Sequence, residues 1–257
     1  MTQTIAVIGA LEKEIALILE SLEDSSCEHV AGLDIYRGTL PATGDTIVAT
    51  VAGMGTVNAA ATTQLLISQY QASHVIFSGI AGGLNKLLHI GDVVIGQTLR
   101  YLDTDTSLIA ESAPAMEEFH TSLKLMTLAV QVLTQQGYQS IPYTMRNSGE
   151  IESSASDFVH DENRPAFLTG VIATGNRFVT GASMREDALA QTQADCVEME
   201  GAAIAHVCAK NDVPCLIMRA ISDNCDEAYD AFCEREFDLD SYARNASETV
   251  LQILARL

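Results

Sequence analysis

The sequence predicts an α/β protein: one domain in three α/β/α layers, with a central mixed, twisted sheet flanked by helices. Short β-branched runs alternate with segments whose apolar residues recur at helical spacing, the pattern of a largely parallel or mixed sheet covered on both faces. The 257 residues are 47% hydrophobic, enough to bury one large core, and no repeat, low-complexity tract or linker divides residues 1–257.

The strand-like runs are Ile5–Ile8, Ile47–Val51, His74–Phe77, Val93–Ile95, Gly170–Ala173 and Cys215–Arg219. Helical spacing marks Glu14–Leu22, Val57–Ser68, Leu123–Gln135, Gly201–Asn211 and Tyr242–Leu257. Thr144–Pro165 departs from this alternation; it is rich in Ser, Asp and Glu and reads as a polar surface insertion.

A formal net charge of −20 with no Lys/Arg cluster argues against a nucleic-acid binder, whose affinity depends on cations displacing counterions. MTQTIAVIGALEKE has no basic lead, and Glu12 interrupts its apolar run, so neither a signal peptide nor a membrane span is expected and a cytoplasmic location is. The six cysteines form no CxxC and are expected as buried free thiols. The six histidines show neither HxxxH nor HxH spacing, so no metal site is expected.

Two glycine-rich segments follow strands. Gly53-Met54-Gly55-Thr-Val-Asn58 imitates a dinucleotide fingerprint, but Asn58 replaces the third glycine and no carboxylate stands near Gln71–His74, so no nicotinamide cofactor is expected. SGIAGGL, Ser78–Leu84, is expected to be a tight turn at a strand exit, where the backbone at Ala81 and Gly82 can approach a ligand.

Ligands of open α/β sheets bind at the carboxyl ends of strands, so acids that follow apolar runs are candidates for chemistry. Three places qualify: Glu12 and Glu14 after IAVIGAL, Glu198 and Glu200 after Cys196-Val197, and Asp223 after LIMRAIS. Any one of them alone could be a helix first-turn acid favoured by the macrodipole.

In order, IGALEKEI, SGIAGGL, RYLDTD, GVIATGNRFV, VEMEGAAIAHVC and RAISD resemble the nucleoside phosphorylase and nucleosidase superfamily, above all its 5′-methylthioadenosine/S-adenosylhomocysteine nucleosidases. The resemblance implies cleavage of an N-glycosidic bond through an oxocarbenium-like sugar, without a cofactor. It implies that Glu200 accepts hydrogen bonds from the ribose hydroxyls, with Met199 against the sugar face. Asp223 would protonate the purine at N7, oriented by Ser222, and Glu14 would activate water that Arg219 helps to position. Phe178 would stack on the purine, the backbone of Val179 would read its edge, and Leu11 and Met54 would line the sugar and 5′ pocket. Glu198 is expected either to face the site or to support it. The resemblance also implies a homodimer whose partner completes the pocket.

A phosphorylase needs an arginine cradle, and GALEKE stands where related phosphorylases carry a GDPxR-type turn. Arg37, Arg100 and Arg177 remain as possible phosphate ligands, so a purine nucleoside phosphorylase is the alternative. A nucleosidase of other 5′ preference and a non-catalytic nucleoside-binding protein are also open. Several positions depart from the family pattern: Thr106–His120 lacks the usual aromatic, Pro-rich loop, Ile80 stands where a hydroxyl residue is common, and Asn176 replaces an aspartate.

Overall fold

A computed structural model describes residues 2–112, 117–142, 158–161, 163–226 and 239–257. Ile5, Val7, Ile47 and Ile76 pack on one face of the sheet, and Ala6, Ile8, Val48 and Phe77 on the other, so both faces of these strands are buried. The strands are β1 (Thr4–Gly9), β2 (Glu23–Val30), β3 (Leu33–Thr39), β4 (Thr46–Val51), β5 (His74–Gly83), β6 (Val93–Tyr101), β7 (Phe119–His120), β8 (Gln139–Ser140), β9 (Ala166–Thr174), β10 (Cys196–Glu198) and β11 (Cys215–Asp223). The helices are α1 (Ala16–Glu20), α2 (Thr56–Tyr70), α3 (Thr106–Ser112), α4 (Leu123–Gln135), α5 (Ala182–Thr192), α6 (Gly201–Lys210) and α7 (Leu239–Leu254).

Along the mixed sheet the order is β10-β9-β6-β11-β5-β1-β4-β3-β2. β1 pairs in parallel with both β4 and β5, and β11 in parallel with β5 but antiparallel with β6. β10 pairs with β9 on one side and with Gly82 and Gly83 of β5 on the other, so one end of the sheet curls into a closed ring. Helices α2 and α6 pack together on one face through Ala59, Leu66, Ala203 and Ile204. On the opposite face α1, α4 and α7 bury Ile18, Leu125, Val132, Val250 and Ile253. A smaller cluster under α5 joins Ala188 to Val171, Val179, Val197 and Cys225.

Three expectations change. SGIAGGL is not a turn: Ser78–Gly83 is extended and completes β5, pairing with β11 and then β10. The helix expected from Glu14 is a 3-10 turn, Glu12–Glu14, followed by the short α1. Cys27 is exposed on β2, whereas Cys196, Cys208, Cys215 and Cys225 are buried, all five with free thiols; Cys233 lies outside the described residues. Most of Thr144–Pro165 also lies outside them; of its described residues Val159, Asp161, Asn163, Arg164 and Pro165 are exposed, while His160 and Phe158 are half-buried. There His160 Nε2 is 2.9 Å from buried Asp92 and its ring stacks on His89, while Phe158 packs against the core. No helix among the described residues is long and apolar enough to cross a membrane.

Candidate active site

The carboxyl ends of β1, β4, β5, β9, β10 and β11 surround a cleft of about 680 Å³. Leu11, Glu14, Met54, Ala81, Gly82, Phe178, Val179, Glu198, Met199, Glu200, Arg219, Ser222 and Asp223 all line it. Exposed Glu12, two residues from Glu14, does not. Ala10, Ile80, Val197 and Cys225 also line the cleft and were not singled out as site residues. Small and apolar, they give no chemical signal in a sequence.

At one end of the cleft lie three buried carboxylates and one arginine. Arg219, 1% exposed, reaches Glu198 with Nη2 and Glu200 Oε2 at 3.2 Å, and its guanidinium lies 3.9 Å over the ring centre of Phe77. Glu198 is fully engaged: it accepts from Thr174 Oγ1, from Arg219 and from the N–H groups of Glu200 and Gly201 at the start of α6. A carboxylate there satisfies orphan amides and complements the helix dipole. Glu198 therefore supports the site rather than offering free acceptors to it.

Glu200 is placed differently. Its Oε1 accepts from the Gly55 N–H at 2.9 Å, at the start of α2. The adjacent Thr56 N–H donates to Asn176 Oδ1, also at 2.9 Å. Protein side chains thus take the helix N-terminus that a dinucleotide's pyrophosphate would need, which accounts for the failed fingerprint. Burial, then the neighbouring Glu198 charge, pushes Glu200 up to about 7 despite Arg219.

Glu14, 4% exposed, is held by the 3-10 turn, where its Oε2 accepts from the N–H groups of Ala10 (2.6 Å) and Leu11 (3.0 Å). Burial raises its pKa, against the opposing pull of Arg219 and the backbone amides. A Cβ on Gly79 would stand 2.6 Å from Glu14 Oε1 and closer still to Arg219 Nη1, so a side chain there would force both groups to shift.

At the other end Asp223 meets neutral partners. The Cys225 N–H donates to Oδ1 at 2.9 Å, and the Ser222 hydroxyl lies 2.8 Å from Oδ2 and 3.1 Å from the Ala81 carbonyl oxygen. The Ser222 hydroxyl can donate to either oxygen, so it ties the carboxyl to the end of β5. Phe178, 39% exposed, and Met54, 63% exposed, stand at the mouth, while Val179 is buried.

The possible phosphate ligands are dispersed. Arg37 is exposed on β3 and does not line the cleft. Arg100 donates to Glu118 and to the Thr192 carbonyl oxygen, and Arg177, at the cleft, pairs with Asp103 at 3.0 Å.

The phosphorylase superfamily model matches residues 4–257. The chain belongs to that family. A 5′-methylthioadenosine/S-adenosylhomocysteine nucleosidase of Shewanella sediminis is 32% identical, with 98% of each chain covered. Among solved structures, the nucleosidase of that name from Neisseria meningitidis in complex with methylthio-immucillin-A has a TM-score of 0.81 and 31% identity, covering 99% of this chain and 100% of its own. The native futalosine hydrolase of Helicobacter pylori has a TM-score of 0.82 and 28% identity, covering 100% of this chain and 99% of its own.

Proposed function

We propose that this protein hydrolyses the N-glycosidic bond of 5′-methylthioadenosine, S-adenosylhomocysteine or both, releasing adenine and the 5-thioribose product. The observation that carries the reading is the separation of roles along one cleft: a hydrogen-bonded acid, Asp223, at one end, and Glu14 beside an arginine shared by Glu198 and Glu200 at the other. The similar nucleosidases support the substrate class.

In this mechanism Phe178 stacks on the purine and the Val179 backbone reads its edge. Asp223 delivers its proton to N7 as the bond to the sugar breaks, and Ser222 and Cys225 N–H hold the carboxylate that remains. Glu200, ionised, accepts from the ribose hydroxyls while Met199 packs on the sugar, and the anionic end of the cleft favours the oxocarbenium-like transition state. Glu14 removes a proton from the attacking water, which Arg219 helps to orient. Leu11, Met54 and Ile80 offer an apolar wall to a thioether.

Water rather than phosphate fits the charge balance, because Arg219 is already shared by Glu198 and Glu200 and approached by Glu14. A phosphate there would meet three carboxylates. No metal or cofactor takes part in this scheme. A second reading, a nucleosidase of different 5′ preference, is favoured by the similar futalosine hydrolase of Helicobacter pylori and by Arg177 at the cleft. We also propose a homodimer completing the 5′ pocket and a cytoplasmic location, the latter compatible with five free thiols.

The test is adenine release from a panel of adenine nucleosides differing at the 5′ position. Highest kcat/KM for the thioether substrates supports the reading. Turnover confined to nucleosides with other 5′ substituents supports the second one, and binding without turnover contradicts both.

A further inference from the structure

The acid at Asp223 is held between two stretches of backbone: the end of β5, where Gly82 lies bare beneath its Oδ1, and the turn Asn224-Cys225, whose N–H bonds Oδ1. Cys225 adopts a left-handed φ of 57°, so this turn needs support from elsewhere. One side chain reaches both stretches. Arg185, on α5, donates from Nη2 to the Leu84 carbonyl oxygen at 2.5 Å and from Nε to the Asn224 carbonyl oxygen at 3.2 Å.

Helix α5 begins three residues after Val179, so the same helix anchors the segment that would hold the purine. Arg185 thereby links base-binding segment, strand end and acid turn through one planar fork. A lysine could not reproduce it, because its ammonium is a single point on a flexible stem.

We infer that Arg185 is a positioning residue for the proton transfer from Asp223, acting through the Asn224 and Leu84 carbonyls. The inference rests on the proposed nucleosidase reaction and extends it to a residue outside the cleft lining. It makes no contact with the reacting atoms. Its effect is to keep the Asp223 carboxyl aimed at the leaving base while α5 keeps that base in register.

The experiment compares two leaving groups on the same sugar: adenine, which must be protonated to leave, and 4-nitrophenoxide, which need not be. Arg185→Ala and Arg185→Lys are assayed with 5′-methylthioadenosine and with the 4-nitrophenyl 5-methylthioriboside, and their melting temperatures are recorded. A misaligned acid predicts a fall in kcat for adenine release of roughly 10- to 100-fold, with the nitrophenoxide rate within about 3-fold of wild type. Should the alanine variant fail to fold, the lysine variant carries the test, with the same selective loss expected at smaller size. Equal losses on both substrates, or no loss in a folded variant, overturn the inference. Absence of adenine release by the wild-type protein is a separate outcome: it overturns the nucleosidase reading beneath it.

Discussion

The two ends of the cleft solve opposite electrostatic problems. At the Asp223 end, the Ser222 hydroxyl and the Cys225 amide meet a single carboxyl, and no cation bonds it among the described residues. At the Glu14 end, three carboxylates crowd one fully buried arginine. The first arrangement sets a single carboxyl among neutral groups; the second gathers negative charge around one cation, which in the proposed reaction faces the cationic sugar. The difference teaches that the number of acids matters less than what each is bonded to.

The sharpest way to break this comparison is to disable each end separately. Asp223→Asn should reduce adenine release by roughly 100- to 10,000-fold, yet largely spare a nitrophenoxide leaving group. Glu14→Gln should slow both substrates together, since both need the activated water. Rates measured for the two leaving groups in both variants check this, and identical patterns would remove the distinction between acid and base ends.

Gly79→Ala comes next in size. Its methyl group would meet the Arg219 guanidinium and Glu14 Oε1, and overpacking in a close-packed interior costs about 1–3 kcal/mol. Lower thermal stability together with a reduced kcat is expected, whereas an unchanged melting temperature would mean that the two side chains move aside freely.

The smallest effect concerns pH. Glu200 is pushed up to about 7, chiefly by burial, and Glu14 is raised for the same first reason. Sugar recognition and base catalysis need both ionised, so kcat/KM should fall on the acid side near pH 7 rather than at ordinary carboxylate values. Stability runs the other way. The folded chain retains the Glu200 proton up to about 7 and the unfolded chain loses it near 4.5, so this contribution is full below 4.5 and is lost as pH rises through 7. Melting curves from pH 4.5 to 8 should show a weaker decline in Glu200→Gln than in wild type.

Much of this was legible in the sequence because burial and chemistry leave patterns. The apolar runs of β1, β4, β5, β9 and β11 and the spacing of α4 mark their elements, and the acids after them mark the cleft. The hairpin β2–β3 was not legible: EDSSCEHV is an exposed edge strand with no buried face to impose alternation. Helix α5 escaped because ASMREDALAQT buries only Ala188 and Thr192. The glycines of SGIAGGL suggested a turn, but two of them are bare to make room for Glu14, Arg219 and Asp223 beside a continuous strand. Which of Glu198 and Glu200 meets the start of α6 and which the start of α2 is a tertiary fact that the sequence does not carry.

The central claim is that Arg219 is already shared by Glu198 and Glu200, leaving water as the nucleophile. Its most direct test is turnover of 5′-methylthioadenosine in heavy-oxygen water, with and without added inorganic phosphate, followed by mass analysis of the sugar. The account predicts the same rate of adenine release in both and one heavy oxygen at the anomeric carbon of a free thioribose. Phosphate-dependent release with a ribose 1-phosphate product would contradict it.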